Sequence, residues 1–438
     1  MAKKSTKLEA LHALFLDNGI SADMIEKNDM LIHTIKKYAD SVVDYRHPSY
    51  TRHLLGDIIM IVFFAILGNA NEWGEIESFA RKKEVWLRKY LELPYGVPTD
   101  DTYRIVIGNV NTDYFFRLTV QFLIQTVNRI IDMAGKGAEI YEKGLISVDG
   151  KESRGSKRKN GKYGEERALQ TLNVYSGDYG ICLAQEFIPE KTNEIPAAQE
   201  VLKLMDLHGT IVTADAMNCQ KETVKVITES HGDYVLALKE NQPLFYQDVK
   251  DFFDETEKEE LRKKKKCYKK TTEKEQGGTA VREYYIAEDT DWYSEKKEWK
   301  QLSSFGMVHR SLKKPDGSIA EEDRYYICSI GADVDEFERA ARGHWGVEIM
   351  HWQMDFTFRD DKNTSMARTG AKNLQIMKKI VMSVLQLVKE SYKLSMKRIR
   401  YELSLDYENG VEKMLSMLSP GSIEKALGLE SEGSSSME

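Results

Sequence analysis

Two acidic residues sit where buried strands should end. Asp149 closes the apolar run Leu145-Ile146-Ser147-Val148, and Asp215 closes Thr210-Ile211-Val212-Thr213-Ala214. A carboxylate beside buried Val and Ile loses hydration, so it stays ionised only with a cation or hydrogen-bond donors at hand. Taken singly, either aspartate also reads as ordinary turn chemistry at a strand end. A third acid, Glu348, lies in the helical segment from Arg342 to Asp355, with His344, Trp345, His351, Trp352 and Asp355 at offsets of three, four or seven on one face. Three carboxylates gathered at one point suit Mg²⁺ or Mn²⁺, which take oxygen ligands and keep positions for water or phosphate. Two such ions about 3.5–4 Å apart activate an attacking water or 3′-hydroxyl and stabilise the leaving oxygen of an in-line displacement at phosphorus. Asp355, Asp360 and Asp361 stand as alternatives to Glu348 for the third ligand. His344 and Glu348 form H-x-x-x-E, but no H-E-x-x-H occurs, which argues against a zinc hydrolase.

The elements that must position these acids follow from periodicity. Leu8 to about Ile131 has three- and four-residue apolar spacing, with segments at Met24–Tyr38, Gly56–Gly68 and Tyr114–Ile131; Thr99-Asp100-Asp101 and Thr112-Asp113 supply N-cap chemistry. Near Gly144 the period changes to two. Strands are expected at Leu145–Asp149, Leu172–Tyr175 and Ile181–Ile188, then a helix at Glu194–Met205, a strand at Thr210–Asp215, a helix at Gln220–Glu229 and a strand at Tyr234–Lys239. Three antiparallel strands followed by helix, strand, helix, strand is the order of an RNase H-like core. In that fold the first and fourth strands lie side by side, so acids on them converge, and a third is expected from a helix after the fifth strand.

A charged helix and linker (Leu244–Lys274) and β segments at Val281–Ile286, Phe305–Leu312 and Arg324–Ile330 read as an insertion before one helix at Asp335–Asp355, which an apolar helix at Leu374–Lys389 follows. The expected class is therefore α/β. An N-terminal all-helical domain (1–140) precedes an RNase H-like mixed-sheet catalytic domain (141–430) with a β-rich insertion at about 245–332, and residues 431–438 form a frayed tail.

Composition narrows the function classes. The chain has 438 residues, 41% apolar, with 8 prolines, so it is globular rather than disordered. The longest apolar stretch, Leu54–Leu67, contains Asp57 and is too short to span a bilayer, which predicts a cytoplasmic protein with no membrane partner. Cys182, Cys219, Cys267 and Cys328 form no C-x-x-C pair and read as buried or idle thiols. The net charge of −7 counts against nucleic-acid binding on average. Locally, however, Lys151, Arg154, Lys157, Arg158, Lys159, Lys162 and Arg167 form a basic stretch beside Asp149, and Lys263–Lys266 with Lys269 and Lys270 form another.

Specific motifs accompany the acids: NEWGEIESFARKKEVWLRKYLELPYGVPTDDTYRIV from Asn71, SVDGKESRGS around Asp149, EKTNEIPA at Glu190–Ala197, VTADAMNCQK around Asp215, GDYVLALKENQ at Gly232–Gln242, and RGHWGVE with HWQMDFTFRDD between Arg342 and Asp361. On these the chain resembles the H-repeat-associated group of bacterial insertion-sequence transposases over nearly its whole length. The resemblance implies that Asp149, Asp215 and Glu348 take the three acidic positions of a DDE transposase, with two Mg²⁺ or Mn²⁺ ions per site. It implies terminal inverted repeats and target DNA as partners, a homo-oligomer on DNA, and a bacterial, nucleoid-associated location when bound. Ile349-Met350 leads directly to His351, one residue short of many relatives.

Several further residues carry a functional and a plain reading. Lys151, Arg154 and Lys157 suit phosphate contact or solvent-facing turns. Lys239, Asn241 and Gln242 end a strand at the carboxyl edge where ligands gather in open α/β sheets, and Arg342 lies on the Glu348 segment; all four are expected at DNA. Trp345 and Trp352 read as core or as stacking surfaces for an unpaired base, and His344 and His351 as structural or as orienting groups. The competing classes are a DNA-binding protein that no longer transposes and an RNase H-like nuclease without joining activity.

Overall fold

The computed structural model describes residues 31–133, 144–161, 164–166, 168–178, 180–188, 193–275, 277–362 and 368–417. The expectations for Leu8–Met30, Lys162, Arg167, Glu190 and the tail 431–438 lie outside the described residues.

The strands from Gly144 onward form one nine-stranded mixed sheet and a two-stranded ribbon. In chain order they are β1 (Gly144–Ser153), β2 (Arg158–Gly161), β3 (Gly164–Glu166), β4 (Leu169–Ser176), β5 (Ile181–Ile188), β6 (Thr210–Ala214), β7 (Asp233–Leu238), β8 (Tyr268–Glu275), β9 (Gly278–Ala287), β10 (Ser304–Lys313) and β11 (Ile319–Cys328). The large sheet runs β5-β4-β1-β6-β7-β11-β10-β9-β8. Its first five members give the RNase H-like order. β1 is antiparallel to β4 and parallel to β6, and β6 is parallel to β7. Helices Glu194–Lys203 and Lys221–Glu229 make the crossovers into β6 and β7, as parallel neighbours require.

The segment anticipated as an insertion extends this sheet. β11 adds antiparallel to β7, and β10, β9 and β8 follow as a meander, so the β7 edge is covered rather than exposed. Leu244–Lys274 resolves into helices Pro243–Phe252 and Glu255–Arg262 and most of β8, which has the alternating half-exposed pattern of an edge strand and was not separable by composition from a charged linker.

The helix Leu55–Leu67 is buried along its whole length, as its uninterrupted apolar sequence demands. The long helix Arg368–Tyr392 packs against Leu55–Leu67, Asp100–Asn109 and Thr112–Met133, and also against β5. A single apolar core therefore runs from Ile58 and Phe64 through Leu374 and Ile380 to Val148 and Leu172. Arg400 is buried within it; its Nη2 donates to the Ile66 carbonyl at 2.7 Å and to Asn71 Oδ1 at 3.0 Å, and its Nη1 donates to the Thr357 carbonyl. At Thr112 the cap is Asn111, whose Oδ1 accepts from Tyr114 N at 2.9 Å, while Thr99 precedes its helix without a side-chain cap bond.

The expected single helix at Asp335–Asp355 is two, Val334–Gly343 and Trp345–Phe356. At the junction the Gly343 carbonyl accepts from Ser147 Oγ at 3.3 Å. A Cβ on Gly343 would stand 2.0 Å from Leu145 Cδ2, so glycine is what lets the chain lie on β1.

Candidate active site

β1 does not end at Asp149 as expected but runs on to Ser153 against β4; its ladder with β6 ends at the Val148–Ala214 pair, so Asp149, within β1, and Asp215, just past β6, lie side by side where that ladder stops. Adjacent strands are about 4.8 Å apart. Helix Trp345–Phe356 packs over β1 and β4 and brings Glu348, an exposed side chain in its first turn, to this point. One ligand atom each of Asp215, His344 and Glu348 lies within 4.8 Å of the others. Two carboxylates and one imidazole, with the Asp149 carboxylate on the adjoining strand, are a donor set that a divalent cation fits.

Each aspartate has a histidine beside it. His344 Nε2 lies 3.4 Å from Asp215 Oδ1. Its Nδ1 meets Thr213 Oγ1 at 3.2 Å, and Thr213 in turn donates to Ser147 Oγ at 3.0 Å. The His344 interaction is the main reason the Asp215 carboxyl sits below the usual range, with Lys239 and Arg324 adding to it. His351 Nδ1 lies 3.2 Å from Asp149 Oδ2, and Asp149 Oδ1 accepts from Gly150 N at 2.9 Å.

The other His351 nitrogen meets Asn173 Nδ2 at 2.9 Å. Lys379 donates to Asn173 Oδ1 at 2.5 Å, and Asn173 Nδ2 donates to the Thr171 carbonyl at 3.3 Å. A lysine only donates and a carbonyl only accepts, so the amide orientation is fixed and Nε2 must accept. The ring hydrogen then stands on Nδ1, facing Asp149.

Glu194, within the EKTNEIPA motif, adds a fourth acid that sequence reasoning quoted without singling out. Burial, and then the charges of Asp149 and Asp215, push its carboxyl up to about 7. Arg324 on β11 was also missed, because nothing in the sequence said that the inserted strands would join the sheet next to β7.

The alternative third acids are engaged elsewhere. Lys151 is buried, and its Nζ pairs with Asp355 and lies 4.0 Å from Asp360 Oδ2 and 3.9 Å from Asp361 Oδ1. Asp360 is buried, accepting from Ser153 Oγ at 3.0 Å and Gln375 Nε2 at 2.8 Å. Burial raises the Asp355 carboxyl despite Lys151. Lys151 was expected to face a phosphate or solvent; instead it follows the inward pleat of β1 and neutralises an acidic corner.

The other expected contacts divide similarly. Arg154, Lys157 and Lys239 are exposed. Asn241 Nδ2 donates to the Ala216 carbonyl at 2.6 Å and Gln242 Nε2 to the Cys219 carbonyl at 3.3 Å, so both clamp the turn after Asp215. Arg342 Nη2 donates to Glu273 Oε2 at 2.8 Å. The guanidinium carbons of Arg282, Arg324 and Arg342 lie 5.1, 5.5 and 5.8 Å from the Trp345 ring centroid, so this indole is an arginine platform. Trp352, by contrast, is 55% exposed and stacks on Phe356 at 5.0 Å. The helix break turns His344 toward Asp215, while within the second helix His351 faces Asp149 and Trp345 the inserted strands.

The model of the transposase DDE domain matches residues 140–383, and that of a DDE-transposase-associated region matches residues 37–123. The chain is similar to a putative transposase, YncI, of Escherichia coli O157:H7, 29% identical over 381 residues, which is 86% of this chain and 93% of that one. It is similar to the H repeat-associated putative transposase YhhI of Escherichia coli K12, 26% identical over 341 residues, 76% of this chain and 85% of that one. A piggyBac transposase synaptic complex with hairpin DNA aligns at 12% identity with a TM-score of 0.36, covering 97% of this chain and 82% of that one, and carries no weight at that score. The domain match spans more than half of the chain and takes in Asp149, Asp215 and the helix bearing Glu348; the chain belongs to the DDE transposase family.

Proposed function

We propose that this transposase cleaves the terminal inverted repeats of an insertion sequence and joins the freed ends to target DNA at Asp149, Asp215 and Glu348. Family membership itself makes it a DNA-acting enzyme that depends on divalent metal. The finer reading is two Mg²⁺ or Mn²⁺ ions per site, a homo-oligomer assembled on two element ends, and work in the bacterial cytoplasm on nucleoid DNA. Among the described residues no helix is long and apolar enough to cross a membrane. The observation that carries the catalytic assignment is the meeting of Asp215, His344 and Glu348 ligand atoms within 4.8 Å, beside the strand that bears Asp149.

Bound by these carboxylates, divalent cations supply activation of the attacking oxygen and stabilisation of the leaving one. The chain's own residues do the positioning. His351, oriented by Asn173 and Lys379, holds Asp149; His344, oriented by Thr213, holds Asp215; Asn241 and Gln242 fix the turn that follows. The exposed cations Arg154, Lys157 and Lys239 suit backbone phosphates flanking the cut, and each phosphate contact adds close to one counterion to the salt dependence of binding.

The test is incubation of purified protein with terminal-repeat DNA and Mn²⁺, scoring nicks and joined product. Asp149→Asn, Asp215→Asn and Glu348→Gln should each remove cleavage while end binding persists. A variant that cleaves like the wild type removes its residue from the metal site, and nicking without joined product replaces the transposition reading with a nuclease.

A further inference from the structure

Helix Glu194–Lys203 opens with an acid that the Asp149, Asp215 and Glu348 set does not use. Capping is not its task, because Asn193 Oδ1 already accepts from Ile195 N at 3.2 Å. Asn218, which follows Asp215 on the same turn, donates Nδ2 to Glu194 Oε1 at 3.2 Å. The other oxygen lies against the residue after Asp149: a Cβ built on Gly150 would stand 1.9 Å from Glu194 Oε2. The carboxylate thus spans the two segments that carry the aspartates.

Among the described residues no Lys or Arg nitrogen lies within 4.0 Å of it, and its electrostatic neighbours are Asp149 and Asp215 themselves. Carboxylate oxygens that meet from the Asp149, Asp215 and Glu194 segments are the ligand type a hard divalent cation takes. Four carboxylates carry the charge that two divalent cations balance.

We propose that Glu194 is a fourth carboxylate ligand of the metal centre, on the side formed by Asp149 and Gly150. This rests on the two-cation reading above. It gives Gly150 a reason: the absent side chain leaves the Glu194 carboxylate its place.

Calorimetric titration of the full-length, metal-free protein with Mn²⁺ tests it without any turnover. The wild type should take up two Mn²⁺ per chain. Glu194→Gln, nearly isosteric and relieved of charge repulsion, should weaken one of the two by at least tenfold. Gly150→Ala, which displaces the carboxylate without deleting it, should weaken the same one. Thermal melts without metal confirm that both variants are folded. If both titrate like the wild type while Asp215→Asn does not, Glu194 is structural and the proposal fails alone. If Asp215→Asn also titrates like the wild type, the two-cation reading falls with it.

Discussion

Lys151 separates a structural from a DNA-binding reading most sharply. Its side chain is 3% exposed and faces Asp355, Asp360 and Asp361, the latter two at 4.0 and 3.9 Å. At an effective dielectric of about 20, a pair of unit charges at that distance attracts by roughly 4 kcal/mol before desolvation is counted. Lys151→Met keeps the stem and deletes the charge, stranding three acids, one of them fully buried. Breaking such a buried set typically costs about 3–5 kcal/mol. For 438 residues unfolding as one unit, the entropy of unfolding converts this into a fall in Tm of about 3–5 °C. Differential scanning calorimetry with chelator would measure it. The Lys151→Met protein should recover part of the loss as pH falls and Asp355, its carboxyl already raised by burial, takes a proton, and a second change, Asp355→Asn, should recover part of it at pH 7. A Lys151→Met protein with unchanged Tm, whose DNA affinity loses about one unit of salt slope, would refute the reasoning and restore the phosphate contact.

Further outcomes follow from the same contacts. Glu194 is raised from 4.5 to about 7, so between those values the native state holds more proton than the unfolded chain and metal-free stability falls as pH rises through that window; after screening for partial exposure the effect is on the order of 1 kcal/mol, and Glu194→Gln should flatten it in denaturation curves at pH 5 and 8. His344→Ala should lower Mn²⁺ affinity about 10–100-fold with little change in fold, read by calorimetry; unchanged affinity would remove His344 from the site. Trp345→Ala should destabilise by about 1–3 kcal/mol by removing the half-buried ring under three arginines, whereas exposed Trp352→Ala should stay within about 0.5 kcal/mol in urea titrations. Arg400→Met should cost about 3 kcal/mol or more, because it strands the Ile66 and Thr357 carbonyls, and equal urea midpoints would contradict that.

The RNase H-like core was legible because its strands are apolar runs closed by Asp149 and Asp215, and because strand order constrains topology to very few arrangements. What stayed hidden depends on contacts between distant segments. Lys151 looked like a phosphate ligand because sequence lists neighbours in the chain, and its true neighbours are Asp355, Asp360 and Asp361. The break beside His344 carries no proline; it comes from Gly343 lying on β1 with its carbonyl given to Ser147. Glu194 sat inside a motif, but its meaning depends on Gly150 of β1 and Asn218 of the turn after β6 approaching it. Asn241 and Gln242 lay at the predicted edge, and only the turn they clamp explains their side chains.

The core shared by the first and last helical segments limits how this protein can be taken apart. A fragment ending near residue 140 would keep the helix Leu55–Leu67 but lose Arg368–Tyr392, which covers it, and Arg400, which satisfies the Ile66 carbonyl near its end. Such a fragment would expose an apolar flank and aggregate. Conversely, a copy whose reading frame stops before Arg400 would retain every catalytic acid while leaving Thr357, just past the Glu348 helix, without its anchor. Loss of the chain from Arg400 onward would therefore weaken the fold while leaving Asp149, Asp215 and Glu348 in the sequence.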